Sequence, residues 1–159
     1  MTLLRAPRSS DEPALLALNN AHAEETSLLE AGTLTDLLRI SYRTRVAPEC
    51  DGLCIALDQD APYRNPNFAW FASRHERFVY VDRIIVAASA RGRGLARRFY
   101  EDLMDAMRAD GLEILCCEVN LEPPNPGSDR FHAAMGFEEA GRAHLNDRNK
   151  TVRYLERSV

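Results

Sequence analysis

Residues 78–110 have the sequence FVYVDRIIVAASARGRGLARRFYEDLMDAMRAD, and this stretch decides the fold of the chain. Its first part, Phe78–Val86, is rich in β-branched and aromatic side chains, which predicts a buried strand. From Gly94 to Asp110, apolar residues recur every three or four positions, which predicts an amphipathic helix. A short segment with two glycines joins them. The stretch is therefore a strand, a turn and a helix in direct succession.

The joining segment, Arg91-Gly92-Arg93-Gly94-Leu95-Ala96, has the composition of an anion-binding turn. The first turn of a helix leaves backbone N–H groups without partners, and the helix dipole favours a negative charge beside them. The two glycines let the backbone approach a ligand closely, and the two arginines add positive charge. We therefore predict a phosphate site here, with an ordinary glycine-containing strand–helix connection as the alternative.

Three known phosphate-binding patterns compete for this segment. A P-loop ends in Gly-Lys-Ser/Thr, and the chain contains no such triplet. The dinucleotide fingerprint needs a small residue three positions after Gly94, where this chain has Arg97. The pattern Arg/Gln-x-x-Gly-x-Gly/Ala fits at each specified position from Arg91 to Ala96. In this respect the segment resembles the pyrophosphate loop of the GCN5-related N-acetyltransferase (GNAT) superfamily.

A second motif supports the same resemblance. Residues 125–137 have the pattern Asn-x-x-Ser-x-x-Phe-His-x-x-x-Gly-Phe. It is similar, without a gap, to the superfamily's Asn-x-x-Ala-x-x-Leu-Tyr-x-x-x-Gly-Phe, which lies about thirty residues beyond the phosphate loop. The resemblance has motif support over residues 78–141, and short segments such as Tyr-Val-Asp-Arg-Ile resemble a bacterial subgroup of predicted acetyltransferases. It implies an α/β (α+β) fold of the acyl-CoA N-acyltransferase type, with a mixed, mostly antiparallel sheet flanked by helices.

The elements around the deciding stretch follow from periodicity and turn residues. Strand–helix–strand succession after residue 78 predicts a right-handed parallel crossover. We also predict that residues 67–72 form a strand, paired as an antiparallel hairpin with Phe78–Val86. The other expected elements are a helix from about Pro13 to His22, a helix at 35–45, a strand at 52–57, a strand at 113–119, a short helix ending near Met135, and strands at 138–143 and 151–156.

Length and composition point to a single domain over residues 1–159. A net charge of −4 gives no electrostatic reason to expect nucleic acid or an acidic membrane as a partner. No apolar run approaches a membrane span, and the N-terminus lacks a secretory apolar region, so we expect a cytoplasmic protein. The four cysteines show no metal or redox spacing, and we expect them to be structural, with no metal bound.

The resemblance also implies a coenzyme site, with acetyl-CoA as the cosubstrate. The coenzyme A pyrophosphate would bind the segment Arg91, Gly92, Arg93, Gly94, Leu95 and Ala96. The main chain of Ile84, Ile85 and Val86 would pair with the pantetheine arm like an additional strand. The arm would enter where this strand separates from the strand at 113–119. Asn125 and Ser128 would contact the coenzyme from the other side.

Acetyl transfer to an amine requires a base for the amine proton and an acid for the thiolate. By resemblance, Asp82 best matches the base, on a strand face that alternation assigns to Tyr80, Asp82, Ile84 and Val86. Its alternative role is a salt bridge to Arg83. Glu118, near the end of the next strand, is the second carboxylate, with a structural role as its alternative. His132 occupies the position of the usual tyrosine acid, and it is either that acid or a hydrogen-bonded scaffold residue.

Residues that could line an acceptor pocket come from the first helix and the predicted hairpin. Aromatic rings among them could hold an amine by cation–π contact, although aromatic residues on strands are more often part of the core. The candidates are His22, Tyr63, Asn67, Trp70 and Tyr80.

These observations predict an acetyl-CoA-dependent N-acyltransferase that moves an acyl group, expected to be acetyl, to a primary amine of a small molecule or peptide by direct attack. A coenzyme-binding sensor or interaction module without catalysis is the alternative, because the usual tyrosine is missing. A nucleotide-binding fold with a chance motif match is the third interpretation. A homodimer is expected only by analogy with the superfamily.

Overall fold

The computed structural model describes residues 3–159. Helices cover both faces of one sheet, whose strands in this part of the chain follow the order β1-β2-β3-β4-β6-β5. No helix among the described residues is long and apolar enough to cross a membrane. The strands are β1 (Arg43–Val46), β2 (Gly52–Asp58), β3 (Val79–Val86), β4 (Ile114–Glu122), β5 (Glu138–Leu145) and β6 (Lys150–Ser158). The helices are α1 (Glu12–Ala21), α2 (Ala31–Ile40), α3 (Pro66–Ala72), α4 (Leu95–Asp110) and α5 (Pro126–Ala134), with 3₁₀ turns at Ser9–Asp11 and Ala88–Ala90.

The sheet is mixed and mostly antiparallel, as predicted. Strands β1, β2 and β3 pair antiparallel, and so do β4, β6 and β5. The β3–β4 pair is parallel, and α4 makes the predicted crossover between these two strands. The fold class predicted from the two motifs is therefore confirmed.

Strands β3 and β4 are paired over only a short distance. Their register contains Val79 opposite Leu115 and Tyr80 opposite Cys116, and no pair follows in either strand. Both strands nevertheless continue past these two pairs, β3 to Val86 and β4 to Glu122. They therefore separate, as the resemblance implies, and the edge of β3 that faces β4 has no strand partner beyond Tyr80. On this edge the Val86 carbonyl oxygen accepts a hydrogen bond from Arg91 Nε at 3.4 Å.

A β-bulge at Asp82 changes which residues of β3 face each layer. In the pairing with β2, Ile55 lies opposite Arg83 and Ala56 lies opposite Val81, so Asp82 is the additional residue. A bulge shifts the alternation of side chains by one position. Simple alternation, counted back from Val86, therefore assigns the residues of β3 on the N-terminal side of Asp82 to the wrong face of the sheet.

The packing of β3 shows this shift. Val81, Ile84 and Val86 pack in the cluster that contains α4, whereas Tyr80 and Ile85 pack in the cluster on the opposite face. The prediction that Tyr80 shares the face of Val86 is wrong, because the bulge lies between them. Tyr80 instead lies on the face covered by α1, α2 and α3.

Two prediction errors concern short elements. Residues 66–72 form helix α3 and not a strand, and the antiparallel partner of β3 is β2. Asn65 caps this helix, because its side-chain oxygen accepts hydrogen bonds from the backbone N–H groups of Asn67 at 2.8 Å and Phe68 at 3.3 Å. The helix predicted at 35–45 is α2, which ends at Ile40, and strand β1 begins at Arg43.

Gly141 allows α3 to pack against the sheet. A Cβ atom at Gly141 would lie 2.6 Å from Cζ2 of Trp70, whose ring is fixed by stacking on Tyr154. We expect Gly141→Ala to lower the free energy of unfolding by about 1–3 kcal/mol, because the indole must move. Chemical denaturation measures this change. Gly32→Ala is the control: a Cβ there meets nothing within 4 Å, and this exposed helix position should become more stable. A Gly141→Ala variant as stable as the parent would contradict the packing.

Candidate active site

The turn before α4 lines an open cavity of about 550 Å³. Gly92 and Gly94 have φ values of +80° and +72°, which favour glycine, and no side chain caps the start of α4. The first backbone N–H groups of the helix are therefore available to an anion. Arg91 and Arg97 lie in the cavity wall and contribute positive charge. These features fit a pyrophosphate group.

Most of the predicted coenzyme-binding residues lie together around this cavity. It is lined by Arg91, Gly92, Gly94, Leu95, Ala96, Ile84, Val86, Asn125 and Ser128. Two predicted residues lie elsewhere: Arg93 borders a separate depression with Pro48 and Glu49, and Ile85 packs on the opposite face of the sheet. The Asn125 side chain caps α5 by accepting a hydrogen bond from the backbone N–H of Ser128 at 3.3 Å.

A smaller, inner cavity of about 110 Å³ lies in the gap between β3 and β4. It shares wall residues with the outer cavity, including Ile84, Asn125 and His132, so the two adjoin. Both predicted carboxylates, Asp82 and Glu118, line the inner cavity. The wide chamber beside the phosphate turn therefore lies next to a narrow acidic one.

Glu118 is a partly buried carboxyl group held by neutral donors. The Tyr80 hydroxyl donates a hydrogen bond to Oε2 at 2.7 Å, and the Asn67 amide donates one to Oε1 at 3.1 Å. The Tyr154 hydroxyl donates to the Asn67 side-chain oxygen at 2.8 Å and so fixes that amide. Burial raises the pKa of Glu118 to about 7, because no cation compensates the loss of water. Near neutral pH this carboxyl can both take up and release a proton.

Asp82 lies in a different electrostatic environment. Its Oδ2 accepts a hydrogen bond from Arg83 Nε at 2.7 Å, and its Oδ1 accepts one from the Tyr63 hydroxyl at 2.5 Å. The two charged side chains are only 3% and 5% exposed, and Arg83 also donates to the buried Asn19 at 2.7 Å. The predicted alternative, a salt bridge to Arg83, is therefore present. Both oxygens of Asp82 therefore already accept a hydrogen bond, one from a guanidinium and one from a phenol.

His132 is buried between two hydrogen-bond partners. Its Nδ1 lies 2.8 Å from the backbone oxygen of Ser128, which can only accept, so this nitrogen carries the proton. Its Nε2 lies 2.7 Å from the Tyr100 hydroxyl and therefore accepts from it. Burial lowers the pKa of His132 and favours the neutral ring. The predicted imidazolium acid does not fit this arrangement.

The predicted acceptor residues divide into two groups. Tyr63, Asn67 and Tyr80 hydrogen-bond to the two carboxylates, as described above. His22 lies at the end of α1, where its Nδ1 contacts the Leu18 carbonyl oxygen at 2.9 Å, and it lines neither cavity. Trp70 also lies outside both cavities. It stacks on a neighbouring tyrosine, with the Arg74 guanidinium 3.9 Å from its ring centre.

The sequence-based predictions missed several residues of the site. Glu25, in the loop after α1, borders both cavities, and Tyr100 on α4 lines the inner one. Asn19 belongs to the buried network around Asp82, because it accepts a hydrogen bond from Arg83. Two adjacent asparagines on the first helix were a usable signal, because a buried amide needs partners. Tyr100 gave no signal, because it continues the apolar stripe of its helix.

One group of metal-ligating side chains occurs among the described residues, outside both cavities. His75, Cys116 and Glu156 place their ligand atoms within 4.8 Å of one another. The His75 ring and the Glu156 carboxylate are already joined by a hydrogen bond of 2.6 Å. This bond accounts for the position of both side chains.

Sequence comparison decides the family. The model of the Acetyltransferase (GNAT) family matches residues 53–137, which is more than half of the chain. The chain belongs to the GNAT acetyltransferase family. The match includes the phosphate turn, both carboxylates and the Asn125–Phe137 motif, so the resemblance predicted from the two motifs is confirmed. No curated protein sequence matches the chain.

Solved structures confirm the fold. The ribosomal-protein-S18-alanine N-acetyltransferase from Escherichia coli has a TM-score of 0.74 at 15% identity, covering 100% of this chain and 94% of that one. The ribosomal-protein-alanine N-acetyltransferase from Brucella melitensis has a TM-score of 0.72 at 24% identity, covering 99% of both chains. A chain of the NatC complex bound to Gag peptide and CoA has a TM-score of 0.75 at 16% identity, covering 99% of this chain and 98% of that one.

Membership of the GNAT family makes this protein an acyltransferase, with acetyl-CoA as its cosubstrate. The outer cavity fits that donor on its own geometry. It offers a helix start without a side-chain cap, two glycines at positive φ and two arginines for the pyrophosphate. The free edge of β3 offers backbone groups for the pantetheine amides. The family comparisons indicate no metal.

Proposed function

We propose that this protein transfers the acetyl group of acetyl-CoA to a primary amine of a small molecule or a peptide, by direct attack of the amine on the thioester. The observation that carries the proposal is Glu118. It is a partly buried carboxyl with a pKa of about 7 in the inner cavity, adjoining the chamber that fits the coenzyme.

The arrangement of the two cavities supports transfer from a donor in the outer cavity to an acceptor amine in the inner one. The start of α4 holds the pyrophosphate at the outer end, and the open edge of β3 guides the pantetheine arm inward. Ile84, Asn125 and Ser128 border both cavities, so they surround the point where a thioester would arrive. The acceptor amine then approaches from the inner, acidic side.

Glu118 accepts a proton that the reaction releases. A primary amine with a pKa of about 10.4 is neutral in only about one molecule in 10³ at neutral pH, and only this neutral form has the lone pair that attacks. Glu118, held by Tyr80 and Asn67, takes the proton that the attacking neutral nitrogen releases as the C–N bond forms and the C–S bond breaks. The Asp82–Arg83 pair shapes the wall of the inner cavity and, in our proposal, orients the acceptor rather than acting as the base.

The pH dependence of turnover follows from the Glu118 carboxyl. Because burial raises its pKa to about 7, a growing fraction becomes ionised as the pH rises through that value. We expect kcat to increase with pH through about 7 and then to level off, since only the carboxylate accepts the proton. Initial rates at saturating acetyl-CoA and amine, followed by thiol release, measure this profile. A kcat that falls over the same range would contradict Glu118 as the base.

Turnover against an amine panel tests the proposed function. Acetyl-CoA is offered together with small primary amines and with short peptides that have free N-termini, while calorimetry measures coenzyme A binding. Release of coenzyme A that depends on one class of acceptor supports the proposal and identifies that class. Tight coenzyme binding without turnover, unaffected by Asp82→Asn, supports the non-catalytic module, which the neutral state of His132 favours.

A further inference from the structure

We propose that the hydroxyl of Tyr100 on α4, and not His132, donates the proton to the departing coenzyme A thiolate. This inference rests on the proposed function, because it assigns the acid of the same transfer. Tyr100 is fully buried in the protein, yet it lines the inner cavity together with Asn125 and Ser128. Its hydroxyl lies 2.7 Å from His132 Nε2, and His132 borders both cavities, so the phenol lies near the region where the two cavities adjoin.

The hydrogen bonds around His132 show which group holds a transferable proton. The Nδ1–H of the ring is committed to the Ser128 carbonyl oxygen at 2.8 Å. The Nε2 has no proton, because it accepts the hydrogen bond of the Tyr100 hydroxyl at 2.7 Å. The proton between the phenol and the imidazole therefore belongs to Tyr100. His132 is a positioning residue, whose ring is fixed by Ser128 and in turn fixes the phenol.

The surroundings of Tyr100 keep it protonated at working pH. Burial raises the pKa of its phenol well above the ordinary value, and burial lowers the pKa of His132. The Cys117 thiol and the Glu118 carboxyl also face the phenol, and burial raises the pKa of both. Around neutral pH the proton is thus available on Tyr100 and absent from His132 Nε2.

The proposed step balances in atoms and charge. The amine nitrogen bonds to the acetyl carbon, the C–S bond breaks, and sulfur keeps the electron pair. An anionic sulfur is a stronger acceptor than a neutral imidazole, so the Tyr100 O–H turns from His132 to it. The proton passes from the phenol to sulfur. The proton that Glu118 takes from the amine then returns through water in the polar inner cavity to Tyr100, which restores the starting state.

The first experiment needs no acceptor amine. The ionisation of the thiol of bound coenzyme A is followed by its thiolate absorbance in the ultraviolet, with desulfo-coenzyme A as the blank. A donor that stabilises the thiolate lowers its pKa, so we expect Tyr100→Phe to raise the bound thiol pKa by about one unit or more. Coenzyme affinity should stay within about threefold of the parent, because Tyr100 lies in the inner cavity and not beside the phosphate turn. Tyr42→Phe is the matched control, since that hydroxyl bonds to Asp110 outside both cavities.

The second experiment uses an acceptor found in the panel. Tyr100→Phe should lower kcat by about 10²-fold or more. His132→Gln, whose amide oxygen can still accept from Tyr100, should lose less than about tenfold and keep the parent pH profile. An unchanged thiol pKa or an unchanged kcat in Tyr100→Phe overturns the inference. So does a His132→Gln loss as large as that of Tyr100→Phe. If the parent binds coenzyme A but acetylates no amine, the proposed function fails. The pKa of the bound coenzyme A thiol still shows whether the Tyr100 hydroxyl contacts its sulfur.

Discussion

Replacing Glu118 with glutamine should lower kcat by about 10²–10⁴-fold and leave the affinity for coenzyme A nearly unchanged. Glutamine keeps the size of the side chain and can still accept the hydrogen bond from Tyr80, but it cannot take a proton from the amine. The outer cavity is the proposed coenzyme site, and its wall does not include Glu118. Steady-state kinetics with the identified amine and calorimetry with coenzyme A measure the two quantities. The pH dependence near 7 should also disappear in this variant.

Asp82→Asn is the comparison for the Glu118 experiment, because it tests the other carboxylate as the base. If Asp82 were the base, its loss would lower kcat with little effect on folding. The structure predicts a different result, because Asp82→Asn leaves the nearly buried Arg83 without its counter-charge. Breaking such a pair costs on the order of 3–5 kcal/mol, so reduced stability should accompany any loss of activity. A fully stable Asp82→Asn protein with a low kcat would return the role of base to Asp82.

The stability of the protein gives an acceptor-free measurement of the Glu118 environment. Its folded pKa of about 7 exceeds the ordinary value of 4.5, so the folded protein binds more protons than the unfolded chain between these values. The stabilisation by the protonated carboxyl is therefore complete below about pH 4.5 and is lost as the pH rises towards 7. In Glu118→Gln this decline should be absent. An equal decline in both proteins would show that Glu118 does not cause it, and would contradict the raised pKa of this carboxyl.

The features that could be predicted from the sequence are those fixed by local patterns. The strand, the glycine turn and the helix at 78–110 depend on neighbouring residues, and so does the Asn125 cap of α5. The prediction of a strand at residues 67–72 fails, because a short apolar run does not distinguish the helix periodicity from the strand periodicity. Asn65 followed by Pro66 is a helix start, and it is the sequence signal that favours the helix.

The chemistry of the site depends on contacts between residues far apart in sequence. The bulge at Asp82 is set by the register with β2, which no pattern within β3 reveals. Burial and the nearby Asp82 raise the pKa of Glu118, while its hydrogen-bond donors come from α3 and β3. The hydrogen bond at His132 Nε2 comes from a phenol 32 positions earlier. The sequence therefore predicts both carboxylates as candidates, and their proposed roles depend on neighbours that the sequence does not reveal.

Replacing Gly94 with aspartate should lower the affinity for coenzyme A by at least about 10²-fold. The carboxylate would lie at the start of α4, beside the backbone N–H groups that fit the pyrophosphate, and like charges at close range cost several kcal/mol. Isothermal calorimetry with coenzyme A measures the loss. A Cβ at Gly94 meets nothing within 4 Å in the protein itself, so the fold should survive apart from the strain of a φ of +72°.

Gly111→Asp is the matched control for the phosphate turn. Gly111 ends the same helix with a φ of +71°, also has nothing within 4 Å of a Cβ, and borders neither cavity. It should therefore show similar backbone strain and the same change in net charge, but bind coenzyme A normally. Gly94→Ala separates the two causes, because it adds bulk and strain without charge and should lose less affinity than Gly94→Asp. Normal binding by Gly94→Asp would contradict the placement of the pyrophosphate at α4, and the direction of the pantetheine arm towards Glu118 would have to be reversed.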